Sequence, residues 1–413
     1  MAEGRSEGVD VRRTTTKKVH GLGEGKSRWV GVGSSSNDKA EAAGQEAALC
    51  ALVGEAPKLA IVFCECSYDT KAVVKGIRSV IGETPVVGSS TMRGFGSSLE
   101  ALHAKGGVTV TILGGDGISV GTGSAVVAKN QLRNAAKKAV SSAGSVERRL
   151  NHAVLLFSDG EVGDQRQVAR GAYEVLGAEF PLVGGCTGTQ REHNSSQIHN
   201  EDVLEGGVVA AAISSEGALG IGIANAWSAV CEPILVTASR DNRLFELDGR
   251  PAYELYQEIL DAPLVSTDDD KEAFIKFAMT HPLGVEGRDA RQPRFIYDVD
   301  RRTGSLTFVS NIPEGGLVWF MKASSASVLE ATRDACTQAL SGLDDQPPLG
   351  LITFNCIARL EMLDEVDQSR DLGILNETAG GAPISQFYGY GEFARTSGST
   401  GFHNQTVVVL AVG

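Results

Sequence analysis

Residues 59–63 read Leu-Ala-Ile-Val-Phe, and residues 153–157 read Ala-Val-Leu-Leu-Phe. Both are short, unbroken apolar runs, the pattern of a strand covered on both faces. The residues beyond them are also alike. After Phe63, the residues Ala72, Val73, Gly76, Ile77 and Val80 fall at helical spacing, and Pro85-Val-Val-Gly-Ser-Ser90 then reads as a second strand ending in small residues. After Phe157, a helical stretch carries Val168, Ala172 and Val175 and leads to Pro181-Leu-Val-Gly-Gly-Cys-Thr187. A further strand opens on the same triplet in both copies, Gly106-Gly-Val and Gly206-Gly-Val.

A looser third copy closes the chain, with Leu349-Gly-Leu-Ile-Thr-Phe354, Pro383-Ile-Ser-Gln-Phe-Tyr-Gly389 and Thr406-Val-Val-Val-Leu-Ala411. Similar helices, Arg133–Val140 and Arg333–Leu340, precede the second and third copies. Units this long and this few do not make a solenoid. They predict an α/β protein of duplicated strand–helix–strand modules whose mixed sheets pack together, flanked by helices. Strands are expected at 59–63, 85–88, 153–157, 181–184, 349–354 and 383–388, and helices at 70–81, 165–177 and 327–341.

Between the second and third copies the text changes. Glu232–Ser239 and Leu244–Gly249 read as strands joined by the turn Asp241-Asn-Arg243, and a helix starts at Pro251. The boundary between halves is therefore expected near 228–245, giving one domain over 28–230 and another over 231–413. Residues 1–27 are polar, mildly basic and aperiodic, as expected of a disordered tail. They hold no apolar core of a secretory signal, and Glu3, Glu7 and Asp10 argue against a transit peptide.

A net charge of −13 disfavours nucleic acid and anionic membrane surfaces as partners, and no apolar run is long enough to span a bilayer. The seven cysteines form no CxxC pair and sit mostly in apolar text, which fits a reducing, cytoplasmic setting. Gly25-Lys26-Ser27 imitates the end of a phosphate loop, but His20 stands where its first glycine belongs and no strand feeds it. Gly115-Asp-Gly117 reads as a hairpin turn between two strands. Cys64 with Cys66 lacks further metal ligands, and His193, His199, Glu201 and Asp202 read as a solvated loop. No metal site is expected.

The residues resemble a FIST protein, a FIST N domain joined to a FIST C domain. The likeness rests on Phe63 with Pro85-Val-Val-Gly-Ser-Ser-Thr91, on Trp227, on Val236-Thr-Ala-Ser239 and on Glu246-Leu-Asp-Gly-Arg-Pro-Ala252. It continues in Phe354-Asn-Cys-Ile-Ala-Arg359, Phe387-Tyr-Gly-Tyr-Gly-Glu392 and His403-Asn-Gln-Thr406, and so covers roughly residues 40–412. The resemblance implies a sensory module for small ligands, with amino acids proposed. Some bacterial members bind haem, respond to nitric oxide and act on a histidine kinase. Eukaryotic members often carry an F-box, whose helices the first 40 residues lack. With no kinase or receiver segment fused, a separate signalling protein is the expected output partner.

The candidate site lies in the third copy. Cys356 follows a strand at its carboxyl end, where open α/β sheets place ligands. Arg359, three residues on, is suited to a ligand carboxylate, and Glu392 to an ammonium group. An ion pair between the two, fixing two loops, is equally open. Ser89 and Ser90 sit at the matching strand end of the first copy, where small residues either line a pocket or simply pack. Asp248 is a further ligand candidate or an Asx turn. If haem is bound, His403 is the best-placed axial imidazole; otherwise it closes the last strand with a hydrogen bond. Two other classes remain: a cysteine hydrolase or transferase using Cys356 with His403 as base, and an interaction scaffold without ligand.

Overall fold

The computed structural model describes residues 28–92, 94–95, 107–128, 131–144, 146–147, 149–177, 180–188, 195–267, 270–286, 291–308, 310–395 and 401–413. The 1–27 tail, Gly106 and His193 lie outside the described residues. The first module runs β1 (Trp29–Ser35), α1 (Ala40–Ala51), β2 (Pro57–Glu65), α2 (Thr70–Ile81), β3 (Val86–Thr91), β4 (Gly94–Phe95) and β5 (Val108–Gly114). The second runs β6 (Ile118–Val126), α3 (Leu132–Ala143), β7 (Asn151–Asp159), α4 (Arg166–Leu176), β8 (Leu182–Thr187), β9 (Gln197–His199), β10 (Asp202–Leu204) and β11 (Gly207–Ser215).

The third module begins with β12 (Leu219–Asn225) and is then interrupted. A separate sheet is inserted, made of β13 (Ser228–Ala229), β14 (Ile234–Arg240), β15 (Arg243–Leu247), β16 (Arg250–Pro251), β17 (Leu283–Val285), β18 (Gln292–Arg294), β19 (Ile296–Asp300), β20 (Ser305–Phe308) and β21 (Leu317–Lys322). Helices α5 (Ala252–Leu260) and α6 (Asp270–Thr280) cover it. The module then resumes with α7 (Ser325–Ser341), β22 (Gly350–Cys356), α8 (Ile357–Glu361), α9 (Glu365–Thr378), β23 (Ile384–Gly389), β24 (Gly391–Arg395), β25 (Phe402–His403) and β26 (Thr406–Val412). All six expected strands and all three expected helices are present. The sequence break at 230/231 falls between β13 and β14, yet β12 and β13 pair across it with β26 and β21.

The modules share one order. In each, a parallel pair (β2/β3, β7/β8, β22/β23) is flanked on the other side by an antiparallel strand (β5, β11, β26) and an edge strand (β1, β6, β12). The helix between the parallel strands is the long crossover that such a pair requires. The turn at Gly115 and Gly117, both with positive φ, corrects the hairpin expectation: β5 and β6 belong to different sheets, and the turn hands the chain to the second module.

The edge strands explain a pattern the apolar runs did not reveal. Each carries Gly-x-Gly (Gly31/Gly33, Gly121/Gly123, Gly220/Gly222), and each faces a helix with alanines four apart: Ala43/Ala47/Ala51, Ala135/Ala139/Ala143 and Ala331/Ala335/Ala339. A β-carbon on any of the six glycines would collide with a carbonyl oxygen of that helix. Strand and helix therefore approach backbone to backbone, and only glycine permits it.

Strand lending joins the modules. Strand β4 of the first pairs with β23 of the third, β9 of the second with β3 of the first, and β24 of the third with β8 of the second. The outer face of each sheet packs on its own helices, and the inner faces share one core. At its centre Phe63, Phe157 and Phe354, from equivalent positions, meet with ring centroids 5.9, 6.1 and 6.1 Å apart. Phe387 packs on all three, at 5.3 to 6.4 Å. Edge-on and tilted rings at these distances add specific attraction to the burial itself.

Candidate functional site

Beyond the phenylalanine cluster each parallel strand runs on by two residues. Side chains alternate along a strand, so Glu65, Asp159 and Cys356 are the next inward positions of the three modules. Beside them β24 places Glu392 opposite Gly185, against the Phe387 side of the cluster. Glu392 is 1% exposed. Its Oε2 accepts the backbone N–H of Thr406 at 3.1 Å and the hydroxyl at 2.7 Å, whereas Oε1 has no hydrogen-bond partner among the described residues.

Burial raises the Glu392 carboxyl to about 8; the Thr406 hydrogen bonds, the charge of Arg359 and the Cys356 thiol oppose that rise. Cys356 is itself driven well above its ordinary value, first by burial and then by Glu392. Cys186 is raised by burial and by Glu392, Cys356 and Asp159. Tyr390, raised by burial, feels Glu161, Cys66 and Cys356. These mutual effects gather groups from all three modules at one end of the shared core. Tyr390, 40% exposed, and Glu161 carry that end to solvent. Among the described residues, Thr187 Oγ1, Ser195 Oγ, Gln197 Nε2 and Gln405 Oε1 are further buried polar atoms without hydrogen-bond partners.

Arg359 faces the opposite way. The chain turns from β22 into α8 immediately after Cys356, and this turn carries the guanidinium into the outer layer between sheet and helices. There Nη1 donates to Asn355 Oδ1, while Nη2 donates to Thr332 Oγ1 at 2.6 Å and to the Val328 carbonyl at 3.1 Å. Asp371 of α9 lies 3.9 Å from Nη2 and accepts from Thr332. Arg359 is 2% exposed, and its charge reaches Glu392 without an ion pair between them.

The remaining sequence candidates are dispersed. Ser89 donates to the Ser196 carbonyl at 3.2 Å, and Ser90 accepts the Ser196 amide at 2.9 Å, so both tie β3 to the segment lent by the second module. Asp248 is exposed on the inserted sheet in a left-handed turn (φ 49), its Oδ1 accepting the Leu235 amide at 3.1 Å. His403 pairs with Glu392 in strand register, but its Nε2 bonds the Ala394 carbonyl at 3.0 Å, and burial lowers the imidazole to about 4. The structure thus brings together Cys356 and Glu392 and separates Arg359 and Asp248 from them. Nothing in the sequence singled out Glu65, Asp159 or Tyr390 as site residues, although the first two stand two residues after the recurring phenylalanine, whereas Cys186 lies in Gly184-Gly-Cys-Thr187, a strand end whose small residues either line a pocket or simply pack.

Residues 58–250 match the FIST N domain, and residues 252–395 match the FIST C domain. The chain belongs to the FIST family. FIST domains are associated with the sensing of small ligands in signal transduction. The boundary between the two FIST matches falls between β16 and α5, inside the inserted sheet. An uncharacterised protein of Mycobacterium tuberculosis is 25% identical over 242 residues, covering 56% of this chain and 62% of its own length. One of Mycobacterium bovis is 24% identical over 236 residues, covering 54% and 58%. The FIST chain thus spans about six-tenths of the curated relatives it matches. Among solved structures, a cyanuric acid hydrolase from A. caulinodans covers 94% of this chain and 99% of its own at 9% identity, with a TM-score of 0.36. PurL of T. maritima in complex with ATP covers 95% and 73% at 13% identity and a TM-score of 0.24. Among the described residues no helix is long and apolar enough to cross a membrane.

Proposed function

We propose that this FIST protein senses a small amine-bearing ligand, amino-acid-like in size, at the converging strand ends, and passes its state to a separate partner protein. The observation that carries the reading is Glu392 Oε1: a buried carboxyl oxygen with no N–H or O–H donor among the described residues, with the weakly donating Cys356 thiol and Asp159 nearby. An unpartnered buried acceptor is costly, and an ammonium group supplies both the missing donor and the counter-charge. Its arrival favours the ionised carboxylate, so binding near neutral pH releases a proton from Glu392. Arg359 acts in this reading by its field and by fixing α7, α8 and α9, since its Nη donors are already engaged.

A calorimetric panel of amino acids and simple amines, run in two buffers of different ionisation enthalpy, tests the reading. The expected result is saturable binding whose heat changes with buffer, lost in Glu392→Gln. Binding that persists unchanged in Glu392→Gln, or a panel with no binder, defeats it.

A further inference from the structure

Two buried arginines illustrate opposite situations. Arg359 has acceptors on both Nη atoms and a carboxylate close by. Arg395, at the end of β24, is 3% exposed, yet among the described residues its Nε and Nη1 have no acceptor and no carboxylate lies within ion-pair distance. Its guanidinium carbon sits 3.8 Å from the centroid of the Tyr173 ring. A π face offsets part of the loss of hydration but offers nothing to the in-plane N–H groups, and a buried cation without a counter-charge is costly.

The same Tyr173 forms a wall of an open groove of about 350 Å³, lined also by Arg133, Arg170 and Glu174. Glu174 is shared between Arg133 and Lys137, the latter at 2.9 Å. Arg170 is exposed and makes no ion pair among the described residues. Three cations, Arg133, Lys137 and Arg170, thus stand around one carboxylate in a chain whose overall charge is −13. We propose that this groove between α3 and α4 binds a small oxyanion, a phosphate or carboxylate group, held by Arg170 and Arg133 at the rim, with Arg395 behind Tyr173 adding its charge without touching the ligand. Guanidinium groups match the planar, multiple acceptors of such groups. The site is separate from the Glu392 site: alternation along β24 turns Glu392 inward and Arg395 towards α4.

Titration of the full chain with inorganic phosphate, and separately with citrate, at constant ionic strength against chloride tests the assignment. Saturable binding of at least one oxyanion is expected, weakened about tenfold or more in Arg170→Glu and in Arg395→Met. Glu392→Gln retains it, which keeps this result independent of the amine reading. Absence of binding beyond chloride, or unchanged affinity in Arg170→Glu, overturns the proposal. The exposed Arg170 position decides the matter even where Arg395→Met fails to fold.

Discussion

Thr406 gives both its amide N–H and its hydroxyl to a single oxygen of Glu392, at 3.1 and 2.7 Å, and among the described residues the other oxygen has no N–H or O–H donor. Burial, against the lowering effect of these two hydrogen bonds, keeps the carboxyl protonated well above the usual range, to about 8. The unfolded chain ionises this group near its ordinary 4.5, so between the two values the native state binds a proton that the unfolded state does not. Its contribution to stability is complete below about pH 4.5 and is lost as pH rises towards 8. Melting temperatures measured from pH 6.5 to 8.5 should fall for the native chain and stay flatter for Glu392→Gln. Parallel profiles would contradict this.

His403 has the opposite sign. Burial holds its imidazole at about 4 against an ordinary 6.5, so the unfolded state binds the extra proton in that interval. Stability contributed by the neutral ring is present above pH 6.5 and is lost as pH falls towards 4. Acid denaturation should begin at lower pH in His403→Gln, whose amide can keep a donor for the Ala394 carbonyl. Because Nε2 already serves that carbonyl, haem added under reducing conditions should give no Soret band that depends on His403.

Asp371 is the acid that Arg359 needs. Removing one member of a buried pair strands the other, at a cost of about 3–5 kcal/mol. Urea denaturation should report a loss of that order for Asp371→Ala and a smaller loss for Asp371→Asn, which keeps an acceptor for Thr332. A neutral outcome for Asp371→Ala would mean that Thr332, Asn355 and the Val328 carbonyl satisfy the guanidinium unaided.

The recurring Gly-x-Gly strands yield a comparison across modules. Gly33→Ala, Gly123→Ala and Gly222→Ala should each cost about 1–3 kcal/mol, because the new methyl meets a helix carbonyl. Similar losses by thermal denaturation would establish the three contacts as equivalent. Gly249→Ala, with positive φ and no atom within 4 Å of a β-carbon, should show backbone strain alone.

Cys356, 4% exposed and raised well above the ordinary thiol value, is expected to resist alkylation in the native state at pH 8 and to react after unfolding. Mass spectrometry after iodoacetamide treatment reads this directly. Rapid native labelling would revive a nucleophilic role.

Much of this architecture is local information. Apolar runs at 59–63 and 153–157 become buried strands because five consecutive apolar residues have no solvated face to offer, and 349–354 follows them although Gly350 and Thr353 interrupt its run. Their recurrence with intervening helical spacing is enough to place three like modules in one chain. The edge strands β1 and β12 escaped because glycine carries no periodic apolar signal, although the alanines four apart on the facing helices mark the same contact.

Which strand enters which sheet is not local. Strands β4, β9 and β24 are short and complete a neighbouring module rather than their own, so their partners exist only once the modules have closed around the phenylalanine cluster. Side-chain direction at the site obeys the same rule. Glu392 and Cys356 are distant in sequence, yet strand lending brings them together, whereas Arg359, three residues from Cys356, is rotated by the first turn of α8 into the opposite layer. A buried charge goes where a counter-charge and acceptors await it, and for Arg359 those come from α7 and α9, which only the folded chain brings within reach.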